Sequence, residues 1–162
     1  MKGSVMNKFM ISLIIGLVFL SCFATQACDI PELSQGQTIY VPAYSHIYHS
    51  SDERPFYLTI TLSIRNTDPN NSITITKVDY HETKGKLIVK HLDSAIVLGP
   101  YESLRYVIPE NDKSGGSGAN FIVKWEAEKC INKPIVETIM VSTRGQQGLS
   151  FTSRGQAIVD SK

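Results

Sequence analysis

The chain has 162 residues, of which 16 are Lys or Arg and 15 are Asp or Glu, so its formal charge is +1. That balance, with no basic stripe, excludes a dedicated nucleic-acid binder. After the leader described next, roughly 130 residues remain, enough for one domain with one core and too few for two.

Lys2 and Lys8 precede an apolar run from Phe9 to Leu20, interrupted only by Ser12 and Gly16, that ends in Ser21, Cys22, Ala24, Ala27 and Cys28. A basic start, a short apolar middle and a small-residue exit form an export signal over residues 1–27. The apolar run is well short of the roughly 20 residues that cross a hydrocarbon core as a helix, so cleavage is favoured over an uncleaved anchor. Two exits compete. Phe19-Leu20-Ser21-Cys22 is close to a lipobox, with Phe where Leu is usual, and cleavage at 21/22 makes Cys22 the lipidated N-terminus. Thr25-Gln26-Ala27 approximates the small-x-small rule of ordinary cleavage at 27/28, which leaves Cys28 first. If Cys22 carries lipid, Cys28 and Cys130 remain, and an oxidising compartment permits a bridge between them. If Cys28 is the first or the acylated residue, Cys130 is a lone thiol. Removal of the signal takes two lysines and no acid, which leaves the mature part near neutrality.

Residues 28–35 read as a short tether and residues 36–160 as one β domain. From Phe56 to Arg65, apolar Phe56, Leu58, Ile60, Leu62 and Ile64 alternate with polar or amphipathic residues, the pattern of a half-buried strand. Turn formers from Asn66 to Asn71 follow. In Ser72 to Tyr80 the apolar phase changes between Ile73/Ile75 and Val78/Tyr80, which predicts a bulge near Thr76 or Lys77. Glu82 to Gly85 turns the chain into Lys86 to Leu92, a second hairpin. Strands are also predicted at Ser103 to Ile108, at Phe121 to Ala127, at Ile135 to Thr143 after Pro134, and in a short pair at Leu149 to Thr152 and Gln156 to Val159. The Gly/Ser stretch from Ser114 to Gly118 is a loop within the domain. No window carries a capped helical repeat. Several short strands with turn signals about every ten residues give an all-β antiparallel sandwich, immunoglobulin-like in its central late-strand Trp125.

Four runs then resemble one bacterial family: Gly36 to His49, Leu62 to Asp68, Gly115 to Val123 with Trp125, and Gln147 to Gly155. The chain resembles the domain of unknown function 3124 family over about residues 36 to 156. The resemblance implies a secreted protein or lipoprotein. It carries over no activity, ligand or catalytic residue.

Two constellations carry chemistry. His46, His49 and Asp52 recur at intervals of three in an aromatic stretch and could converge on zinc or copper, although a loop packed by Tyr44 and Tyr48 explains the same residues. Arg144, Gly145 and Gln146, with Arg154 beside Gly155, place guanidinium groups next to glycine backbone, where they could grip a carboxylate or phosphate; Arg next to Gly is also ordinary at a turn. Gly115 to Ala119 lacks the final glycine and the strand-to-helix setting of a nucleophile elbow. His81 and His91 bracket the second hairpin.

The sequence therefore points to a non-catalytic binding or structural module, without a cofactor. It is held in the periplasm or at the outer membrane by an N-terminal lipid, facing an envelope protein or an anionic ligand. The alternative is a small periplasmic metal-binding protein or enzyme using the His46 to Asp52 loop. A third reading is an assembly subunit that completes its sheet with a partner's strand.

Overall fold

The computed structural model describes residues 28–48, 51–143 and 148–159. They form β1 (Leu33–Pro42), β2 (His46–Tyr48), β3 (Pro55–Tyr57), β4 (Thr59–Arg65), β5 (Ile73–His81), β6 (Leu87–Lys90), β7 (Ile96–Leu98), β8 (Ser103–Ile108), β9 (Asn120–Asn132), β10 (Ile135–Ser142), β11 (Leu149–Arg154) and β12 (Gln156–Ile158), with no helix among the described residues. One sheet runs β12-β1-β9-β5-β6, with β7 also paired to β5, and the facing sheet runs β11-β10-β4-β8. Every pairing is antiparallel. The protein is an all-β sandwich.

The inward phases of the strands supply the core. Ile60, Leu62 and Ile64 of β4 and Met140 of β10 are fully buried, as are Ile73, Ile75, Val78 and Tyr80 of β5 and Phe121, Val123 and Trp125 of β9. Trp125, the largest of these side chains, lies among the buried residues of the common core. The phase change read in β5 is a register shift between Ile75 and Lys77 against β9. One extra residue there lets both apolar pairs face inward.

Two elements differ from the sequence reading. The alternating run from Phe56 to Arg65 is two strands, because the Leu58 N–H donates to the Ser45 carbonyl at 2.9 Å and so leaves the ladder. β3 pairs with β2, whereas β4 joins the four-stranded sheet between β10 and β8. The second difference is β1, which the sequence did not announce and which begins at Leu33, inside the stretch expected to be a tether. Its first half holds Ser34, Gln35, Gly36 and Gln37, a composition that reads as a loop. Its pairing with β9 from Leu33 to Pro42 makes it a central strand all the same. Gly36 is needed there, since a Cβ would lie 2.8 Å from the Trp125 carbonyl oxygen.

The chain ends are tied into this frame. Cys28 and Cys130 form a disulfide that closes 102 residues of sequence. At the other terminus the chain passes from β11 in one sheet to β12 in the other through Gly155, whose N–H donates to the Val136 carbonyl at 2.8 Å. A side chain at Gly155 would run into Ile39 and Val41.

Polar corners hold the two ends of the sandwich. Beyond β4, the Asn66 side chain donates to the carbonyls of Asn71 and Gly99, while its own oxygen accepts from the Asp68 N–H. Asp68 accepts from the backbone N–H groups of Asn70, Asn71 and Asn132 and from the side-chain amides of Asn71 and Asn132. Desolvation pushes the Asp68 carboxyl up, but these donors outweigh it and hold the pKa at about 2. At the opposite end the glycine loop lies over Tyr80. The Ser45 and Tyr80 hydroxyls are 3.1 Å apart, and a Cβ on Gly115 would overlap the tyrosine hydroxyl. Thr83 Oγ1 donates to the Gly115 carbonyl and accepts from the Gly118 N–H. The Gly/Ser loop is thus a packed lid on the core, not a slack connection.

Candidate functional site

The outward phase of the four-stranded sheet places three guanidinium groups on one face. β4 presents Thr59, Thr61, Ser63 and Arg65 outward, because Ile60, Leu62 and Ile64 take the core. The same alternation puts Ser103, Arg105 and Val107 of β8, Glu137 and Ile139 of β10, and Thr152 and Arg154 of β11 on that side. The pairings align these side chains in rows. Arg154 lies opposite Glu137, Glu137 opposite Ser63, and Ser63 opposite Arg105. One row along, Thr152, Ile139, Thr61 and Val107 are aligned in the same way.

Arg65 lies opposite Ser103 and is therefore the diagonal neighbour of Arg105. In antiparallel sheets such neighbours are about 7 to 8 Å apart. The Arg65 Nε–H donates to Ser63 Oγ at 3.0 Å, which fixes the plane of its guanidinium group. Ser63 is only 7% exposed and acts as a support beneath the charge. The two arginines border a 330 Å3 depression whose lining includes Thr61, Ser63, Ser103 and Ile139. None of the ion pairs found among the described residues involves Arg65, Arg105 or Arg154. Such a surface suits an oxyanion, since guanidinium forks match carboxylate geometry and hydroxyls add neutral donors and acceptors.

Of the residues singled out in the sequence for an anion, Arg154 is exposed at the end of β11 on this face. Arg144, Gly145 and Gln146 lie outside the described residues. Arg65 and Arg105 were not singled out. The available signal was that each takes an outward position in an alternating strand, beside Thr59, Thr61 and Ser63 in β4 and beside Ser103 and Val107 in β8. Only the pairing of β4 with β8 makes them neighbours.

Of the metal set, His46 and Asp52 are among the described residues. His46 lies at the base of the β2 and β3 hairpin, opposite Tyr57. Its Nε2 is 3.2 Å from the Tyr48 hydroxyl, and its ring meets Tyr48 and Tyr57 edge-on. Asp52 belongs to the hairpin loop and pairs with Arg54. His49 lies outside the described residues, as does Cys22. Among the described residues no group of three or more His, Cys, Asp or Glu side chains is placed to hold a metal ion. His81 and His91 do not form a pair between themselves. His81 Nδ1 bonds to the Gly85 carbonyl, and His91 packs against Tyr106 and Phe121, where burial lowers its pKa against the opposing pull of Asp79.

A second cleft, of 340 Å3, lies at the disulfide end, between the Asn70 to Ser72 turn, Val97, and Ala127 to Lys129 with Ile131 of β9. It adjoins the Asp68 corner and has no cluster of titratable groups beyond Glu128 and Lys129.

No curated protein sequence matches this chain. A solved structure similar to it is the crystal structure of Thermotoga maritima 1070, at 12% identity and a TM-score of 0.45, covering 74% of this chain and 92% of that one. The model of the family described as "Protein of unknown function (DUF3124)" matches residues 36–158, from within β1 to the end of β12. The chain belongs to that family.

Proposed function

We propose that the protein is an extracytoplasmic, non-catalytic binding or structural module, anchored in the periplasm or at the outer membrane by a lipid on Cys22. The observation that carries this reading is the Cys28–Cys130 disulfide. Disulfides persist in oxidising compartments, and the export signal sends the chain to one. The bond has a mechanical consequence as well. From Cys22 to Cys28 there are six residue steps, at most about 20 Å of chain, so the disulfide end of the sandwich is held close to the membrane. The four-stranded sheet is left free to meet a partner, an envelope protein or an anionic ligand. Arg154 on that face, with Arg144, Gly145 and Gln146 in the connection before β11, supplies the anion-seeking groups.

The test is the intact mass of the protein extracted from bacterial membranes, measured with and without reductant. Expected are a diacyl or triacyl mass on a chain starting at Cys22 and a gain of two hydrogens on reduction. A chain starting at Cys28 without acyl mass contradicts the anchor. The competing reading, a metal carrier using His46, His49 and Asp52, draws on one observation: His46 Nδ1 is buried without a hydrogen-bond partner. Native mass spectrometry with zinc and copper decides it. A metal-carrying protein binds either ion more tightly than its His49→Ala variant does, and equal binding removes the reading.

A further inference from the structure

We propose that the depression between β4 and β8 is a binding site for the carboxylate of an acidic sugar. The inference rests on the reading of the protein as a binding module and names the ligand class for its four-stranded face. Three observations combine. Arg65 and Arg105 are diagonal neighbours with no carboxylate paired to either among the described residues. Like charges directly opposite on a sheet are destabilising and diagonal ones repel more weakly, and an anion between these two relieves that repulsion. On the opposite sheet, by contrast, Lys77 and Lys124 lie directly across from each other and each has its own acid, Asp79 at 3.8 Å and Glu126 at 2.8 Å. The acid that the register brings nearest the arginine pair, Glu137, is a diagonal neighbour of Arg65 across β10 and forms no ion pair with either arginine.

The second observation is the aim of Arg65. Its Nε–H is spent on Ser63, so the two terminal amino groups remain to fork a carboxylate. The third is the lining. A simple oxyanion is served by guanidinium groups and hydroxyls, whereas this depression also has an apolar wall, at Ile139, beside the hydroxyls of Thr61, Ser63 and Ser103. Hydroxyls for a ring's hydroxyls, an apolar patch for its C–H face and a guanidinium fork for its acid describe a uronic acid. At 330 Å3 the depression falls within the size range of small-ligand sites. Arg154 extends the site. It is three strands from Arg105 in one row, about 14 Å at normal strand spacing, and Glu137 beside it leaves the row with a net positive charge. A chain of acidic sugars reaches that far and a single sugar does not.

Calorimetric titration of the full-length protein uses galacturonate and trigalacturonate as probes, maltotriose as the neutral control and sodium sulfate as the simple oxyanion. The expected order is trigalacturonate tighter than galacturonate, with no detectable maltotriose binding and sulfate at least tenfold weaker than trigalacturonate. The Arg65→Gln/Arg105→Gln variant loses at least tenfold for both acidic sugars. The Arg105→Lys variant, which keeps the charge without the fork, loses an intermediate amount, and Arg154→Gln weakens the trimer several-fold and the monomer by a smaller factor. Equal binding by the wild type and the double variant overturns the site, as do maltotriose or sulfate binding as tightly as trigalacturonate and the absence of any trigalacturonate binding. An acylated protein that fails these titrations loses the sugar site and keeps its anchor. A binding but unacylated protein does the reverse.

Discussion

The two outer faces of the sandwich have similar backbones and opposite electrostatics. On the six-stranded sheet, Lys77, Asp79, Lys124 and Glu126 form ion pairs along their own strands, and Lys90 lies across from Asp79. On the four-stranded sheet the outward positions other than Glu137 and the arginines are Ser, Thr and branched apolar residues, and the arginines have no ion pair among the described residues. A near-neutral chain therefore contains one face with two ion pairs along its strands and one whose arginines form none. Net charge averages over this difference, and a partner does not.

The largest expected effects fall on the frame that holds both faces in place. Trp125→Ala opens a cavity between the sheets and should cost about 3 to 5 kcal/mol. Cys130→Ser frees a closed loop of 102 residues and should cost about 2 to 5 kcal/mol. Urea unfolding measures both. If either variant keeps wild-type stability, the sandwich does not depend on the feature it removes, and the comparison of its faces loses its frame.

Next comes the Asp68 corner, which sets the end of β4 and thereby the position of Arg65. Asp68→Ala strips five donors of their acceptor and should destabilise by about 3 kcal/mol. The same corner gives a pH dependence of definite sign. The folded pKa of about 2 lies below the ordinary 3.8, so the unfolded chain takes up the proton first. Stability from this group is complete above about pH 4 and declines as the pH falls toward 2. Denaturation midpoints at pH 5 and pH 2.5 should separate in the wild type and move closer together in Asp68→Ala. An equal separation in both places the acid sensitivity elsewhere.

The smallest effects on stability distinguish the faces from each other. Lys124→Gln removes an exposed ion pair and should cost no more than about 0.5 kcal/mol. Arg65→Gln with Arg105→Gln removes two neighbouring like charges and should be neutral or stabilising by a similar amount without ligand. A marked loss of stability in the double arginine variant would mean that these side chains serve the fold.

Much of this architecture was legible in the chain because its strands alternate strictly. β4, β8, β9 and β10 follow from their apolar phases, and even the bulge in β5 is written in the change of phase after Ile75. β1 was hidden, because only Ile39 and Val41 alternate and the polar half of the strand is stabilised by β9, more than 80 residues away in sequence. Leu58 was misleading for a related reason. Its apolar phase is correct, yet a bond to Ser45 across a loop breaks the strand. The face was half legible. Arg154 stood out beside its glycine, whereas Arg65 and Arg105 become a pair only through the pairing of strands separated by almost 40 residues. Asp68 looked like one more turn former, since nothing local reveals that Asn132 completes its shell.

The central claim, that the open face of the four-stranded sheet is the one that meets a ligand, is tested most directly by amide chemical-shift mapping of the full-length protein during titration with trigalacturonate. The account predicts saturable shifts confined to Thr61 to Arg65, Ser103 to Val107, Glu137 to Ile139 and the neighbourhood of Arg154. Shifts centred instead on Lys77, Asp79, Lys124 and Glu126 of the opposite face would contradict it.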